Sequence, residues 1–100
     1  MKATVFDNSD GAGDTPYLRR LHDHSAGWVL NSRRRHDPTY MVLHKAICHS
    51  INRATRQLNE NPFTGRGYIK VCSDDMEPLH VWIGQNGGAG FSMRCSLCGA

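Results

Sequence analysis

Apolar residues in this chain come in short bursts between polar and glycine-rich stretches, and the spacing within each burst separates strand from helix. Gly27-Trp28-Val29-Leu30-Asn31 has the composition of a strand, and Tyr40-Met41-Val42-Leu43-His44 is β-branched and aromatic enough to be its return. Between them, Arg35-His36-Asp37-Pro38-Thr39 supplies turn chemistry, so the two runs predict a β-hairpin. Alternation puts Met41 and Leu43 on one face and Tyr40, Val42 and His44 on the other. A third strand is predicted over Gly67–Cys72, with Ile69 and Val71 toward the core. Leu79, Trp82 and Ile83 form an i, i+3, i+4 apolar stripe, which predicts a helix. Ser73-Asp74-Asp75 suits the start of that helix, offering side-chain acceptors and negative charge to the positive end of its dipole. Pro78 is tolerable only in its first turn, and the glycine-rich run after Gly84 stops it. Phe91–Arg94 reads as a last short strand.

Ile51, Ala54 and Leu58 recur at helical spacing after Cys48, and Asn59–Pro62 would end that short helix. Tyr17–His24 is one helical turn or irregular, with Tyr17, Leu18 and Leu21 inward. Residues 7–16 hold turn formers and no large apolar groups, so 1–16 are expected to be a flexible lead-in and 17–100 a single domain. The expected class is α+β: a small domain with a β-hairpin, a third strand, a short helix and a C-terminal Cys95-x-x-Cys98 knuckle.

Length changes this picture in one respect. A 100-residue domain buries limited surface and is often marginally stable, so a metal staple has much to contribute. The apolar runs are far too short for a membrane span. Met1–Asp7 has no apolar signal core, which leads to the expectation of a cytoplasmic protein. In a reducing compartment four cysteines suggest a metal site or free thiols before disulfides.

Cys95-x-x-Cys98-Gly99 is a knuckle pattern: two thiolates can share one ion while the backbone turns tightly, and the glycine eases the turn. Structural zinc takes four N or S ligands, so a second pair is needed. His44-x-x-x-Cys48, where the second hairpin strand ends, is the best supplier, giving His44, Cys48, Cys95 and Cys98 as ligands to one Zn2+. Cys72 competes with His44 for the fourth place, although a small buried residue at a strand end is its simpler reading. A redox pair lacks the expected helix-starting context, and buried unliganded thiols are the plain alternative. The other histidines (His22, His24, His36, His49 and His80) read as surface or partly buried residues.

The order of these features resembles the Ada-type metal-binding domain and its relatives appended to bacterial nucleases. Those read strand, His/Cys-x-x-x-Cys, loop, short strand and helix, then Cys-x-x-Cys. The matching segments here are Val42–Cys48, Tyr68–Ile83 and Arg94–Cys98, so the resemblance covers about residues 40–100. It implies the zinc fold and a nucleic-acid partner. In the DNA-repair members the first ligand is a cysteine that accepts a methyl group from a phosphotriester. His44 stands in that place here, so the thiolate acceptor is missing and the repair activity does not carry over.

Charge distribution sharpens the partner question. Residues 15–72 hold ten Lys/Arg against three acidic residues, a net +7, while 1–14 and 73–100 each carry −2. A basic middle suits an anionic partner. Arg33, Arg34 and Arg35 lie at the hairpin end, Arg53 and Arg56 are i, i+3 on the possible helix, and Arg66 is flanked by Gly65 and Gly67. Tyr40, Phe63 and Tyr68 can supply stacking beside them. These six arginines are the candidate contacts to a nucleic-acid phosphate backbone. The alternative is a protein-interaction or adaptor domain with a purely structural zinc and no nucleic-acid binding.

No catalytic role is expected. Asp74 and Asp75 read as a helix start, and the His22-Asp23-His24 run lacks a nucleophile. Four protein ligands would fill a zinc shell, which marks a structural site rather than a catalytic one.

Overall fold

Strand pairing organises the molecule. The computed structural model describes residues 3–9, 11, 13–35, 37–52, 63–64 and 67–100. Along them run β1 (Thr4–Phe6), α1 (Thr15–Asp23), β2 (Trp28–Arg33), β3 (Met41–Lys45), α2 (His49–Asn52), β4 (Tyr68–Ser73), α3 (Glu77–Gln85) and β5 (Met93–Arg94). The five strands form one mixed sheet in the order β1-β4-β2-β3-β5. All neighbours are antiparallel except β3 and β5, which are parallel. The class is α+β, because three of the four strand pairings are antiparallel and the helices pack on the faces of that sheet.

Residues directly opposite one another share a face of the sheet. One face therefore carries the transverse rows Cys72–Val29–His44 and Lys70–Asn31–Val42. Tyr17 and Leu21 of α1 pack there with Val29, Ala46, Cys48, Ile51, Phe63, Cys72 and Cys95. The opposite face carries Val71–Leu30–Leu43 and Ile69–Ser32–Met41. Leu79 and Ile83 of α3 close over Leu30, Met41, Leu43 and Val71. Full burial of each such aliphatic side chain contributes about 1.5–3 kcal/mol. The predicted hairpin and third strand are in place, and Met41 and Leu43 face away from Val42 and His44 as alternation demands.

The helices depart from expectation at their starts. Ser73 is the buried last residue of β4, paired with Trp28, and α3 begins only at Glu77. Pro78 accounts for this, because its ring and missing N–H fit the first helical positions. Asp74 does not cap α3. It accepts from the Arg20 guanidinium at 3.3 Å and pairs with His24 Nδ1 at 3.0 Å. The helix runs to Gln85, and Gly87 follows in the left-handed region at φ +88°. Around Tyr17 there is a full nine-residue helix; Tyr17 and Leu21 are buried, whereas Leu18 is exposed. Within residues 1–16, read as a flexible lead-in, the chain forms edge strand β1 and buries Asp14. Of the short helix expected after Cys48, α2 is seen; Ala54, Leu58 and the rest of 53–62 lie outside the described residues.

Candidate metal centre

The parallel pairing of β3 with β5 builds the site. Because the two strands point the same way, the residues that follow each of them emerge at the same end of the sheet. Val42 pairs with Met93 and Leu43 with Arg94, so His44 is level with Cys95. The Cys95 amide donates to the Leu43 carbonyl at 2.8 Å, locking that register. Cys48 is brought back by a turn closed by its own amide on Lys45 O at 2.9 Å. The knuckle closes through Ala100 N on Cys95 O at 3.1 Å, with Gly99 at φ +72°, a left-handed position that favours glycine.

His44, Cys48, Cys95 and Cys98 thus converge, with their donor atoms all within 4.8 Å of one another. They lie close enough to bind a metal ion. Cys48 Sγ and Cys95 Sγ are 3.8 Å apart, and all four cysteines of the chain are free thiols. That separation is about the edge of a tetrahedron whose metal–sulfur arms are about 2.3 Å. His44, Cys48 and Cys95 are buried and Cys98 is half-buried, so the cluster is largely closed to water.

The electrostatics fit ligand chemistry. Burial, helped by the nearby Lys70 charge, pushes the His44 imidazole down to about 4, so it is neutral at physiological pH with a lone pair to give. At Cys95 burial raises the thiol, but donors including the Leu97 and Cys98 amides and the Cys48 thiol outweigh it and hold it below its ordinary value. The Lys45 amide donates to Cys98 Sγ at 3.4 Å. Such N–H···S bonds orient a thiolate and spread its charge. Sequence reading missed Lys45, since an amide contact across 53 residues leaves no local signal.

Cys72 stands apart. It shares the face of His44 but lies two strands away, across Val29, a distance of about 9–10 Å at normal strand spacing. It packs in the core against α1, and burial pushes its thiol up to about 12. Cys72→Ser is therefore expected to leave metal content unchanged, whereas His44→Ala loses most of it. Metal analysis of the two purified variants checks this, and the reverse pattern would overturn the ligand set.

The candidate phosphate contacts do not behave alike. Arg33 is exposed and lies over the Tyr40 ring at 4.7 Å, with Asp37 at 3.9 Å. Arg34 is engaged by the fold: its guanidinium donates to Asp7 O at 2.7 Å and Thr64 O at 2.6 Å, joining the segment after β1 to the 63–64 turn. Arg35 is exposed. Arg53, Arg56 and Arg66 lie outside the described residues. Phe63 is buried against Tyr17 at 5.8 Å and is not available for stacking. A cavity of about 740 Å³ lies away from the His/Cys cluster, between the β1 end and α3, lined by Ala3, Asp75, Glu77, Pro78, Val81, Trp82 and Gln85. Among the described residues no helix is long and apolar enough to cross a membrane. The chain matches no known protein family, no curated protein and no solved structure.

Proposed function

We propose that this chain is a non-enzymatic binding module, stabilised by one structural Zn2+ on His44, Cys48, Cys95 and Cys98, whose basic surface holds nucleic-acid phosphates. The convergence of one imidazole and three thiols in a closed cluster carries the metal half of this reading. A tetrahedral sulfur-rich set with one nitrogen suits zinc. All four positions come from the protein, so the ion has no open site for substrate and acts as a cross-link between β3 and the C-terminal knuckle. The order of the ligand pairs in the sequence, which resembles that of Ada-type domains, supports the same reading.

The nucleic-acid half is supported by the net +7 of residues 15–72 and by exposed Arg33 and Arg35 at one end of the sheet. Guanidinium groups grip phosphate with paired hydrogen bonds. The test is binding of short nucleic acids over a salt series. Affinity should fall steeply with salt. Arg33→Ala with Arg35→Ala should weaken binding and lower the slope of log K against log salt by roughly 0.7–0.9 for each phosphate no longer neutralised, with metal content intact. Arg34 is left in place because its loss would damage the fold. Absence of any binding at low salt overturns this half.

A second reading has its own support. Ile47, Met93 and Leu97 are exposed apolar side chains near the metal ligands, Leu97 at 83%. Exposed apolar groups of this kind suit a protein partner. If no nucleic acid binds, this surface becomes the interface to test.

A further inference from the structure

The end of the sheet farthest from the metal ligands carries a transverse row unlike the rest of that face. Register places Arg33 opposite Tyr68 on β4 and, one step beyond the Ser32–Met41 pair, opposite Tyr40. The Tyr40 and Tyr68 rings are 5.5 Å apart between centroids, and the Arg33 guanidinium lies 4.7 Å from the first and 5.5 Å from the second. Both rings are half-buried and Arg33 is exposed. One row inward, the buried Lys70 ammonium donates to Phe63 O at 2.8 Å and sits 5.8 Å from the Tyr68 ring. Beside it the Asn31 amide reaches the Tyr40 hydroxyl at 3.4 Å, while its Oδ1 has no partner among the described residues.

We propose that the Tyr68–Arg33–Tyr40 row is a base-stacking subsite that makes this module a binder of single-stranded nucleic acid. The inference rests on the nucleic-acid reading above and adds strand type and stacking residues to it. Two aromatic rings with a guanidinium over them offer planar surfaces, the guanidinium and the ring faces it leaves open, that any unpaired base can meet, so recognition is tolerant of sequence. A duplex buries its base faces in its own stack and can use only the arginines. The loose Asn31–Tyr40 hydrogen bond and the unpartnered Asn31 Oδ1 leave amide capacity beneath the rings, and exposed Arg35, two residues from Arg33, is the candidate for the adjoining phosphate. A purely structural cation–π group would leave binding indifferent to removal of its rings.

The experiment titrates short labelled single strands of DNA and RNA, and the DNA duplex of the same sequence, with wild-type protein and two double variants. Wild type should bind single strands more tightly than duplex. Tyr40→Leu with Tyr68→Leu should weaken single-strand binding by roughly five-fold to a hundred-fold per ring and leave duplex binding nearly unchanged. Tyr40→Phe with Tyr68→Phe keeps the π-faces and should bind like wild type. Ultraviolet cross-linking of wild-type protein to a photoreactive single strand gives a readout independent of variant folding, with adducts expected on Tyr40 or Tyr68. Equal affinity for single strand and duplex, with the Leu variant unimpaired or adducts mapping elsewhere, overturns the subsite while the phosphate-binding reading stands. Absence of all nucleic-acid binding by wild type overturns both.

Discussion

Stripping the proposed zinc with a strong chelator is expected to unfold the domain outright. The ligands lie at widely separated points of the chain: His44 in β3, Cys48 after it, Cys95 and Cys98 in the last residues. Beyond its pairing with β3, β5 is only two residues long and both are exposed, so apart from Cys95 and the partly buried Phe91, Cys98 and Ala100 little apolar burial holds the C-terminal knuckle down. Cys48 and Cys95 are also members of the core under α1, packed with Tyr17, Val29 and Ile51. Losing the ion would therefore loosen one of the two cores along with the sheet edge. The magnitudes decide the outcome. Apparent binding free energies for structural zinc in small peptides are about 10–16 kcal/mol, comparable with or above the about 5–15 kcal/mol by which whole domains are stable. Thermal melting followed by circular dichroism should show a cooperative transition with metal, none after chelation, and recovery when zinc is restored. An apo protein that keeps its full transition at the same temperature would remove the structural role from the ion.

Much of this architecture is legible in the residue pattern, for reasons that explain the gaps. The β2–β3 hairpin can be read because two short apolar runs flank a segment of turn residues; both faces of the sheet are covered, so burial does not alternate along β3, and only the strand's two-residue period fixes the side on which His44 stands. The ligand pairs can be read because metal spacing is local: His44 and Cys48 are four apart, Cys95 and Cys98 three. What brings the pairs together is not local. β5 is too short to show periodicity, and its parallel pairing with β3 depends on the chain crossing the sheet by way of β4 and α3. β1 is hidden similarly, since Thr4–Phe6 becomes a strand by adding to the edge of β4. The residue pattern misplaces the start of α3 because Ser73-Asp74-Asp75 resembles a cap, whereas Asp74 is drawn to Arg20 and His24 and the proline sets the first turn.

The arginine run shows a different limit. Three consecutive charges read alike in sequence, yet Arg34 serves two backbone carbonyls, Arg33 lies over two rings, and Arg35 is exposed. Their division of labour is set by what lies nearby in space: Asp7, Thr64, Tyr40 and Tyr68. A face that looks uniformly basic in the sequence is therefore part scaffold and part candidate binding surface.

Replacing Asp14 by alanine is expected to destabilise the protein by about 3–5 kcal/mol without touching the metal site. Asp14 precedes α1 but makes no side-chain cap to it. Its carboxylate instead accepts the Phe63 amide at 3.0 Å, the Thr64 amide at 2.8 Å and the Thr64 hydroxyl at 2.6 Å. Asp14 is buried and Thr64 has no exposed surface, so water cannot readily replace the missing acceptor. Each buried donor left unsatisfied costs about 1–3 kcal/mol. The damage would spread, because the same short turn supplies Thr64 O to Arg34, Phe63 O to Lys70 and the Phe63 ring to Tyr17. Asp14→Asn keeps the shape and one acceptor oxygen while turning an amide donor toward a donor, so its loss should be smaller than that of alanine yet measurable. Urea unfolding in excess zinc separates this effect from metal loss, and metal analysis should give wild-type occupancy for both variants. An Asp14→Ala protein within about 1 kcal/mol of wild type, against the unsatisfied-donor costs just given, would show that the segment before α1 contributes little to the fold and is a lead-in after all.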